Sequence, residues 1–120
     1  MARIMAVDDS AAIRGPIEAI LIQNGHDAFV FEDGRQALSF ARTESVDLVI
    51  TDLNMPEMNG MSLISNLRRL PSYKNTPILV LTTETADYKK KKAKSVGATG
   101  WITKPFTEER ILAALKKTLG

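Results

Sequence analysis

The chain contains no cysteine, so it forms no disulfide and has no thiolate that could bind a metal or attack a substrate. It also lacks any apolar run near the roughly 20 residues that span a bilayer. Its start, Met1-Ala2-Arg3 before four apolar residues, is too short for a signal peptide. These absences are compatible with the cytoplasm, and we expect a cytoplasmic protein without membrane insertion.

A strong excess of charge of one sign is missing as well. Lysine and arginine number 16 against 14 acidic residues, so the net charge is only +2, too mild by itself to predict nucleic-acid binding. The basic excess is local, in the four lysines at 89–92 and in Lys94. This run is either a solvated helix face, as charge runs usually are, or a basic surface that prefers an acidic partner.

The 120 residues are 44% hydrophobic and 25% charged, which is typical of one globular domain. Continuous apolar runs predict strands covered on both faces, and apolar residues at helical spacing predict helices between them. The predicted strands lie near 3–7, 27–31, 46–51, 78–82 and 100–103. The first predicted helix begins after Ser10, which can cap it. Four further helices are predicted at 34–41, 61–70, 86–96 and 107–119. This alternation indicates an α/β domain with a parallel sheet.

Two of the predicted helices have unusual features. Gly15-Pro16 falls inside the first, where an interior proline costs about 3 kcal/mol and predicts a kink. We hypothesise that this shape narrows the choice of partner protein. The fourth helix has few apolar positions, namely Ala86, Tyr88, Ala93 and Val96. We therefore expect it to be among the more mobile elements.

Polar side chains stand at the ends of four predicted strands. Asp8 and Asp9 follow the first strand, Asp52 follows the third, Thr82 ends the fourth, and Lys104 follows the fifth. The carboxyl ends of parallel strands meet at one edge of the sheet, where ligands bind in such folds. Each residue alone is more often a turn, cap or surface group. Together they describe a metal-assisted phosphoryl acceptor.

The acids at these strand ends need a counter-charge if they are all to ionise. Mg²⁺ would supply it, because this ion takes oxygen ligands and commonly binds one or two carboxylates together with phosphate oxygens. Asp52 could then attack phosphorus, since aspartyl phosphates are established intermediates. Lys104 offers a second positive group, and the Thr82 hydroxyl offers a donor to a phosphoryl oxygen.

Four motifs give the chain a family resemblance. They are Val7-Asp8-Asp9-Ser10, the segment TDLNMPEMNG at 51–60, Leu81-Thr82-Thr83 and the segment GATGWITKPF at 97–106. In these motifs the chain resembles the receiver domain of two-component response regulators, and specifically the stand-alone CheY-type chemotaxis regulators. The resemblance covers 3–119, so we expect one receiver domain over 1–120. It implies a flavodoxin-like, doubly wound sheet of five parallel strands in the order 2-1-3-4-5 with five helices.

The resemblance implies a role for each acid. Asp52 would accept a phosphoryl group from a phosphohistidine on a sensor histidine kinase, here a chemotaxis kinase. Asp9 and Asp52 would ligate Mg²⁺, for which Mn²⁺ can substitute, together with the backbone carbonyl of Asn54. Asp8 would contact the metal through water.

The other implied roles concern the phosphoryl group and the switch. Thr82 and Lys104 would bind the phosphoryl group, and the bond between Lys104 and Pro105 is expected to be cis. In such domains the hydroxyl moves toward the phosphoryl group while the aromatic residue at 101 turns inward. Here that residue is Trp101, which carries an N–H where tyrosine has an O–H. A surface aromatic without a switching role is the simpler interpretation, and the resemblance outweighs it.

The expected function is that of a monomeric, phosphorylation-switched signalling protein. It would catalyse its own phosphorylation and dephosphorylation but would not turn over a separate substrate as an enzyme does. The output surface would comprise the fourth helix, the last strand and the fifth helix. Because no effector domain is evident in the sequence, the expected target is another protein, such as a flagellar motor switch component.

Three other functions fit parts of the sequence. A phosphorelay carrier or phosphate sink uses the same acceptor but passes the phosphoryl group onward. A haloacid-dehalogenase-type phosphatase also uses an aspartyl nucleophile, but it needs a second acid two residues later, where this chain has Asn54. A nucleic-acid binder would use the clustered lysines, yet no helix-turn-helix or aromatic RNA-binding motif accompanies them.

Overall fold

Strands and helices alternate along residues 1–120, all of which the computed structural model describes. The strands are β1 (Arg3–Val7), β2 (Asp27–Phe31), β3 (Leu48–Thr51), β4 (Ile78–Thr82) and β5 (Gly100–Thr103). The helices are α1 (Ala11–Gln23), α2 (Gly34–Ala41), α3 (Gly60–Arg68), α4 (Asp87–Val96) and α5 (Glu108–Leu119), with a 3₁₀ turn (Pro71–Tyr73) after α3. None of these helices combines the length and apolar character needed to cross a membrane.

The five strands form one parallel sheet in the order β2-β1-β3-β4-β5, which confirms the predicted flavodoxin-like topology. In the centre of the sheet, Val7 at the end of β1 pairs with Thr51 at the end of β3. Thr82 at the end of β4 likewise pairs with Thr103 at the end of β5. This register brings the residues that follow the four strands to the same edge.

Helices cover both faces of the sheet. α2, α3 and α4 pack on one face, where Leu63 and Ala93 join the same apolar cluster. α1 and α5 pack on the other face, where Leu21 and Ile111 join a second cluster. Every residue of β3 and β4 is buried, which explains why these strands appear in the sequence as continuous apolar runs.

The third helix ends earlier than predicted. α3 covers Gly60–Arg68 rather than 61–70, and the chain leaves the helical conformation at Leu70, whose φ is −84° and ψ is 125°. The next residue is Pro71, and the ring of a proline disfavours the helical region for the residue before it. β3 is also shorter than predicted, because its first paired residue is Leu48, although Val46 remains buried.

The predicted capping role of the Ser10 side chain is wrong. Ser10 occupies the position before α1, but its side chain makes no capping hydrogen bond. Its backbone N–H instead donates to Oδ1 of Asp8 at 2.9 Å. Tyr88, one of the few apolar residues of α4, is 70% exposed, and Ala93 is the single buried residue of that helix. Pro16 does lie inside α1, which continues through it, and the kink stays a prediction.

Candidate functional site

The structure brings the three predicted acids together at the carboxyl edge of the sheet. One carboxylate oxygen from each of Asp8, Asp9 and Asp52 lies within 4.8 Å of the others. Asp8 is 6% exposed and Asp52 is 7% exposed, whereas Asp9 is open to solvent. The cluster therefore consists of two buried carboxylates and a third at its entrance.

Backbone hydrogen bonds orient the two buried carboxylates. Oδ1 of Asp8 accepts the N–H of Ser10 at 2.9 Å, and Oδ1 of Asp52 accepts the N–H of Leu53 at 2.7 Å. In both residues the second oxygen, Oδ2, points to the same partner. Nζ of Lys104 lies 2.7 Å from Oδ2 of Asp8 and 3.3 Å from Oδ2 of Asp52.

Lys104 reaches the acids from the end of β5 and is itself largely buried, with 11% of its side chain exposed. The peptide bond between Lys104 and Pro105 is cis, as the resemblance implied. One ammonium group faces three carboxylates, so the ionised cluster is two charges negative. Burial raises the pKa of the Asp8 carboxyl above its ordinary value, although the hydrogen bonds from Lys104 and Ser10 act in the opposite direction.

The loop after Asp52 is held close to that residue. A Cβ on Gly60 would overlap the carbonyl oxygen of Asp52, so only glycine lets α3 begin there. The N–H of Gly60 donates to the carbonyl of Leu53 at 2.8 Å. Asn54 is exposed, and its carbonyl accepts no backbone hydrogen bond. Within the motif at 51–60 no separate role was predicted for Gly60, because its contact with Asp52 depends on the path of the loop.

Thr82 lies at the end of β4 and is fully buried. Its Oγ1 accepts the N–H of Glu84 at 3.3 Å, so the hydroxyl is engaged with the following loop rather than with the carboxylates. Glu84 had no predicted role. Arg14 was also missed, although its Nη1 donates to the carbonyl of Asp8 at 2.8 Å. No sequence pattern marked either residue, since each contact with the site joins a side chain to a backbone group.

Trp101 lies on β5 and packs against the apolar cluster that α2, α3 and α4 share. Its indole Nε1 is buried and has no hydrogen-bond partner. Nζ of Lys90, on α4, stands 5.8 Å from the centre of the indole ring, within the distance of a cation–π contact. The structure thus places the aromatic residue beside α4, with its polar atom unpaired.

Groove size alone would point to a different place. The largest groove, about 700 Å³, is lined by both chain termini together with His26 and Asp47. It lies at the amino-terminal edge of the sheet, opposite the carboxylates. The small cavity that includes Asp8 and Asp52 holds only about 10 Å³. Clustering of charged groups, and not volume, identifies the site, because a small metal ion or a phosphoryl group needs little space.

Comparison with known proteins gives the same picture. Residues 4–116 match the family described as the response regulator receiver domain. The chain is 36% identical over 120 residues to the chemotaxis protein CheY homolog of Campylobacter jejuni, covering 98% of this chain and 92% of that protein. It superimposes on the Vibrio cholerae chemotaxis protein CheY4 with a TM-score of 0.95, 44% identity and 98% of each chain covered.

A third similarity concerns the fold alone. The receiver domain of the sensor histidine kinase PA1611 from Pseudomonas aeruginosa, solved with magnesium in its active-site cleft, superimposes with a TM-score of 0.92 at 24% identity. The alignment covers 99% of this chain and 98% of that one. The family match and the identities above 30% outweigh the phosphatase and nucleic-acid interpretations, and this chain belongs to the response regulator receiver domain family.

Proposed function

We propose that this protein is a CheY-type chemotaxis regulator in which Asp52 accepts the phosphoryl group. Receiver domains of this family are phosphorylation-switched signalling modules and not enzymes that turn over a separate substrate. The observation that carries the choice of acceptor is the arrangement of Asp8, Asp52 and Lys104, in which two buried carboxylates share one ammonium group. Asp52 is the carboxylate that follows the central strand β3.

The donor set of the cluster suits Mg²⁺. All its ligand atoms are oxygens, its carboxylates exceed its one cation, and burial opposes ionisation of Asp8. Asp9, Asp52 and the carbonyl of Asn54 would hold the ion, and Asp8 would contact it through water. When bound, Mg²⁺ neutralises charge on the transferring phosphoryl oxygens. Mn²⁺, which also takes oxygen ligands, would replace it.

The transfer exchanges one bond to phosphorus for another. A carboxylate oxygen of Asp52 attacks phosphorus and forms the acyl phosphate. The bond from phosphorus to the donor histidine nitrogen breaks, and its electron pair remains on the imidazole, which takes up a proton. Lys104 then loses its contact with the Asp52 oxygen and turns to the phosphoryl oxygens, since a cation is attracted to the group that carries more negative charge. Thr82 donates its hydroxyl hydrogen to the same group.

The partners follow from the signalling role. A histidine kinase supplies the phosphoryl group, and a downstream protein reads the phosphorylated state. We propose a chemotaxis kinase as donor and a flagellar motor switch component as target, with the regulator acting as a cytoplasmic monomer. Support for the target comes from two grooves of about 190 and 360 Å³ that Trp101 lines, the first together with Lys90 and the second together with Lys117. Their charge favours an acidic segment.

Labelling by a small phosphodonor tests the proposal. Acetyl phosphate with Mg²⁺ should add one phosphoryl group by intact mass to the wild type and to Asp27→Asn, which removes an exposed aspartate of β2. Asp52→Asn should remain unlabelled, as should the wild type in EDTA. Equal labelling of Asp52→Asn and wild type would place the acceptor elsewhere. Passage of the label to an added histidine phosphotransfer domain, without a change at Trp101, would favour a phosphorelay carrier.

A further inference from the structure

Glu84 connects the end of β4 to the start of α4. Its backbone N–H donates to Oγ1 of Thr82 at 3.3 Å. Oε1 of its carboxylate accepts the N–H groups of Thr85 and Ala86 at 3.2 and 3.1 Å. Oε2 lies 2.9 Å from Nζ of Lys89, in the first turn of α4. One residue therefore contacts both the predicted switch hydroxyl and the helix behind it.

Little else holds this end of α4. Ala86, which precedes the helix, provides no side-chain cap, and the single buried residue of the helix, Ala93, lies beyond its middle. The other end is better secured, because Nε and Nη2 of Arg68 donate to the carbonyl of Gly97 at 3.2 and 2.7 Å. α4 is thus held at its carboxyl end by a guanidinium group and at its amino end by Glu84.

Lys89 is the only lysine of α4 that forms an ion pair, and its partner is Glu84. The ion pairs of the molecule include none for Lys90, Lys91, Lys92 or Lys94. Lys89 lowers the pKa of Glu84, and Glu84 raises the pKa of Lys89, so both groups are charged at neutral pH. The side chains are 24% and 36% exposed, so the contribution of the pair to stability is modest.

We propose that Glu84 and Lys89 form a latch that holds the amino end of α4 against the loop after β4 while Asp52 is unphosphorylated. This inference rests on the proposed function, because its trigger is the movement of the Thr82 hydroxyl toward a phosphoryl group. That movement removes the acceptor from the Glu84 N–H, and the loop and its carboxylate are then free to shift. Glu84 and Lys89 act as positioning residues, since neither touches the reacting atoms.

The linkage between the latch and phosphorylation is reciprocal. If the latch stabilises the resting state, removing it makes the switched state easier to reach, and a ligand that favours the switched state binds more tightly by the same factor. For a partly exposed ion pair that factor is about two- to fivefold. Beryllofluoride, which mimics a phosphoryl group on a carboxylate, is the probe, and Trp101 next to α4 is the fluorescent reporter.

Lys89→Gln and Lys91→Gln give a matched comparison. Both remove one positive charge from α4, but Lys91 is exposed and unpaired. Lys89→Gln should lower the half-saturating beryllofluoride concentration about two- to fivefold. It should also speed hydrogen exchange of the amides at 89 and 90, which bond to the carbonyl of Ala86. Lys91→Gln should match the wild type in both measurements.

Two further variants separate the latch from a general loss of stability. Lys89→Arg keeps the cation and should restore wild-type behaviour. Adding Lys89→Gln to Glu84→Gln should change the titration no further than Glu84→Gln alone, since the pair is then already broken. Equal titrations for Lys89→Gln and Lys91→Gln would overturn the latch.

Labelling of the same preparations with acetyl phosphate keeps the two hypotheses distinct. Wild-type protein without label on Asp52 would overturn the proposed function, and the latch with it. Normal labelling together with an unchanged Lys89→Gln titration would overturn the latch alone.

Discussion

α3 and α4 lie on the same face of the sheet but are held there by different forces. α3 buries Gly60, Leu63, Ile64 and Leu67, and the side chain of Asn59 caps its start by accepting the N–H of Ser62 at 2.9 Å. α4 buries only Ala93 and has no side-chain cap at its start. Apolar burial therefore fixes the first helix, whereas polar contacts at its two ends hold the second.

The difference matches the positions of the two helices around the carboxylates. α3 begins against the carbonyl of Asp52, so the proposed acceptor is supported by a well-packed element. α4 follows Thr82 and lies beside Trp101, on the side where a response would be read. An element with few buried contacts opens at lower free-energy cost than a well-packed one. In the proposed function, phosphorylation would take place at Asp52 beside the well-packed α3. The change that a partner protein detects would take place at α4, which has few buried contacts.

The largest expected difference between the helices is in stability. Leu63→Ala should lower the free energy of unfolding by about 2–5 kcal/mol, because it leaves a cavity in the core. Tyr88→Ala should change it by less than about 0.5 kcal/mol, because that side chain is mostly exposed. Urea denaturation measures both. A loss of several kcal/mol for Tyr88→Ala would contradict the view that α4 makes few stabilising packing contacts.

α1, on the opposite face of the sheet, tests whether a change in the stability of a helix leaves phosphorylation of Asp52 unaffected. Gly15 and Pro16 are exposed in α1, and a Cβ at Gly15 would meet no atom within 4 Å. Replacing both by alanine should raise the unfolding free energy by about 4 kcal/mol, because glycine costs about 1 and proline about 3 kcal/mol relative to alanine in a helix interior. Labelling from acetyl phosphate should stay near wild type, while transfer from the cognate kinase changes if the shape of α1 selects the partner.

The outcomes of this α1 experiment are distinct. Unchanged rates from both donors would make Pro16 a tolerated defect without a role in docking. A parallel fall in both rates would show instead that α1 supports the carboxylate cluster itself.

The hydrogen bonds of Arg68 at the carboxyl end of α4 should contribute somewhat less to the free energy of unfolding than the α1 substitutions change it. Arg68 donates to the carbonyls of Gly97, Tyr73 and Thr76, and no carboxylate pairs with it. Arg68→Met keeps much of the apolar stem but leaves these carbonyls without their donor. We expect a loss of about 2 kcal/mol in urea, since hydrogen bonds to a charged group exceed neutral ones. Arg69→Met, an exposed neighbour, is the control.

The smallest expected effect is on the pH dependence of stability above pH 9, where the buried Tyr73 and the exposed Tyr88 should behave differently. Burial raises the pKa of Tyr73 above its ordinary value of 10.0, and its hydroxyl donates to the carbonyl of Glu44 at 2.6 Å. The unfolded chain therefore loses this proton first, so stability is complete below pH 10 and declines as pH rises toward the folded pKa. The slope contributed by one group is at most about 1.4 kcal/mol per pH unit.

Tyr73→Phe should flatten that part of the pH dependence, and Tyr88→Phe should leave it unchanged. Urea denaturation of the three proteins between pH 9 and pH 11 measures the effect. Equal slopes for wild type and Tyr73→Phe would contradict it.

Local sequence patterns predict the helices and strands and the sequence in which they follow one another along the chain. The buried runs of β3 and β4 stand out in the sequence because strands covered on both faces need apolar residues at every position. The alternation with helices then implies parallel strands with a common carboxyl edge, and this places Asp8 and Asp52 close together. The order of the strands came from the family motifs, since periodicity alone does not specify which strands are neighbours.

Tertiary structure alone decided how the groups at that edge are connected. The ammonium of Lys104 meets Asp8 across 96 residues, and the start of α3 fits against Asp52 only because Gly60 lacks a Cβ. The two contacts of Glu84, to Thr82 and to Lys89, depend on the path of a short loop. Hydrogen bonds and ion pairs require particular distances and directions between atoms. Hydrophobic patterning sets which face of an element is buried, but it carries no information at that resolution.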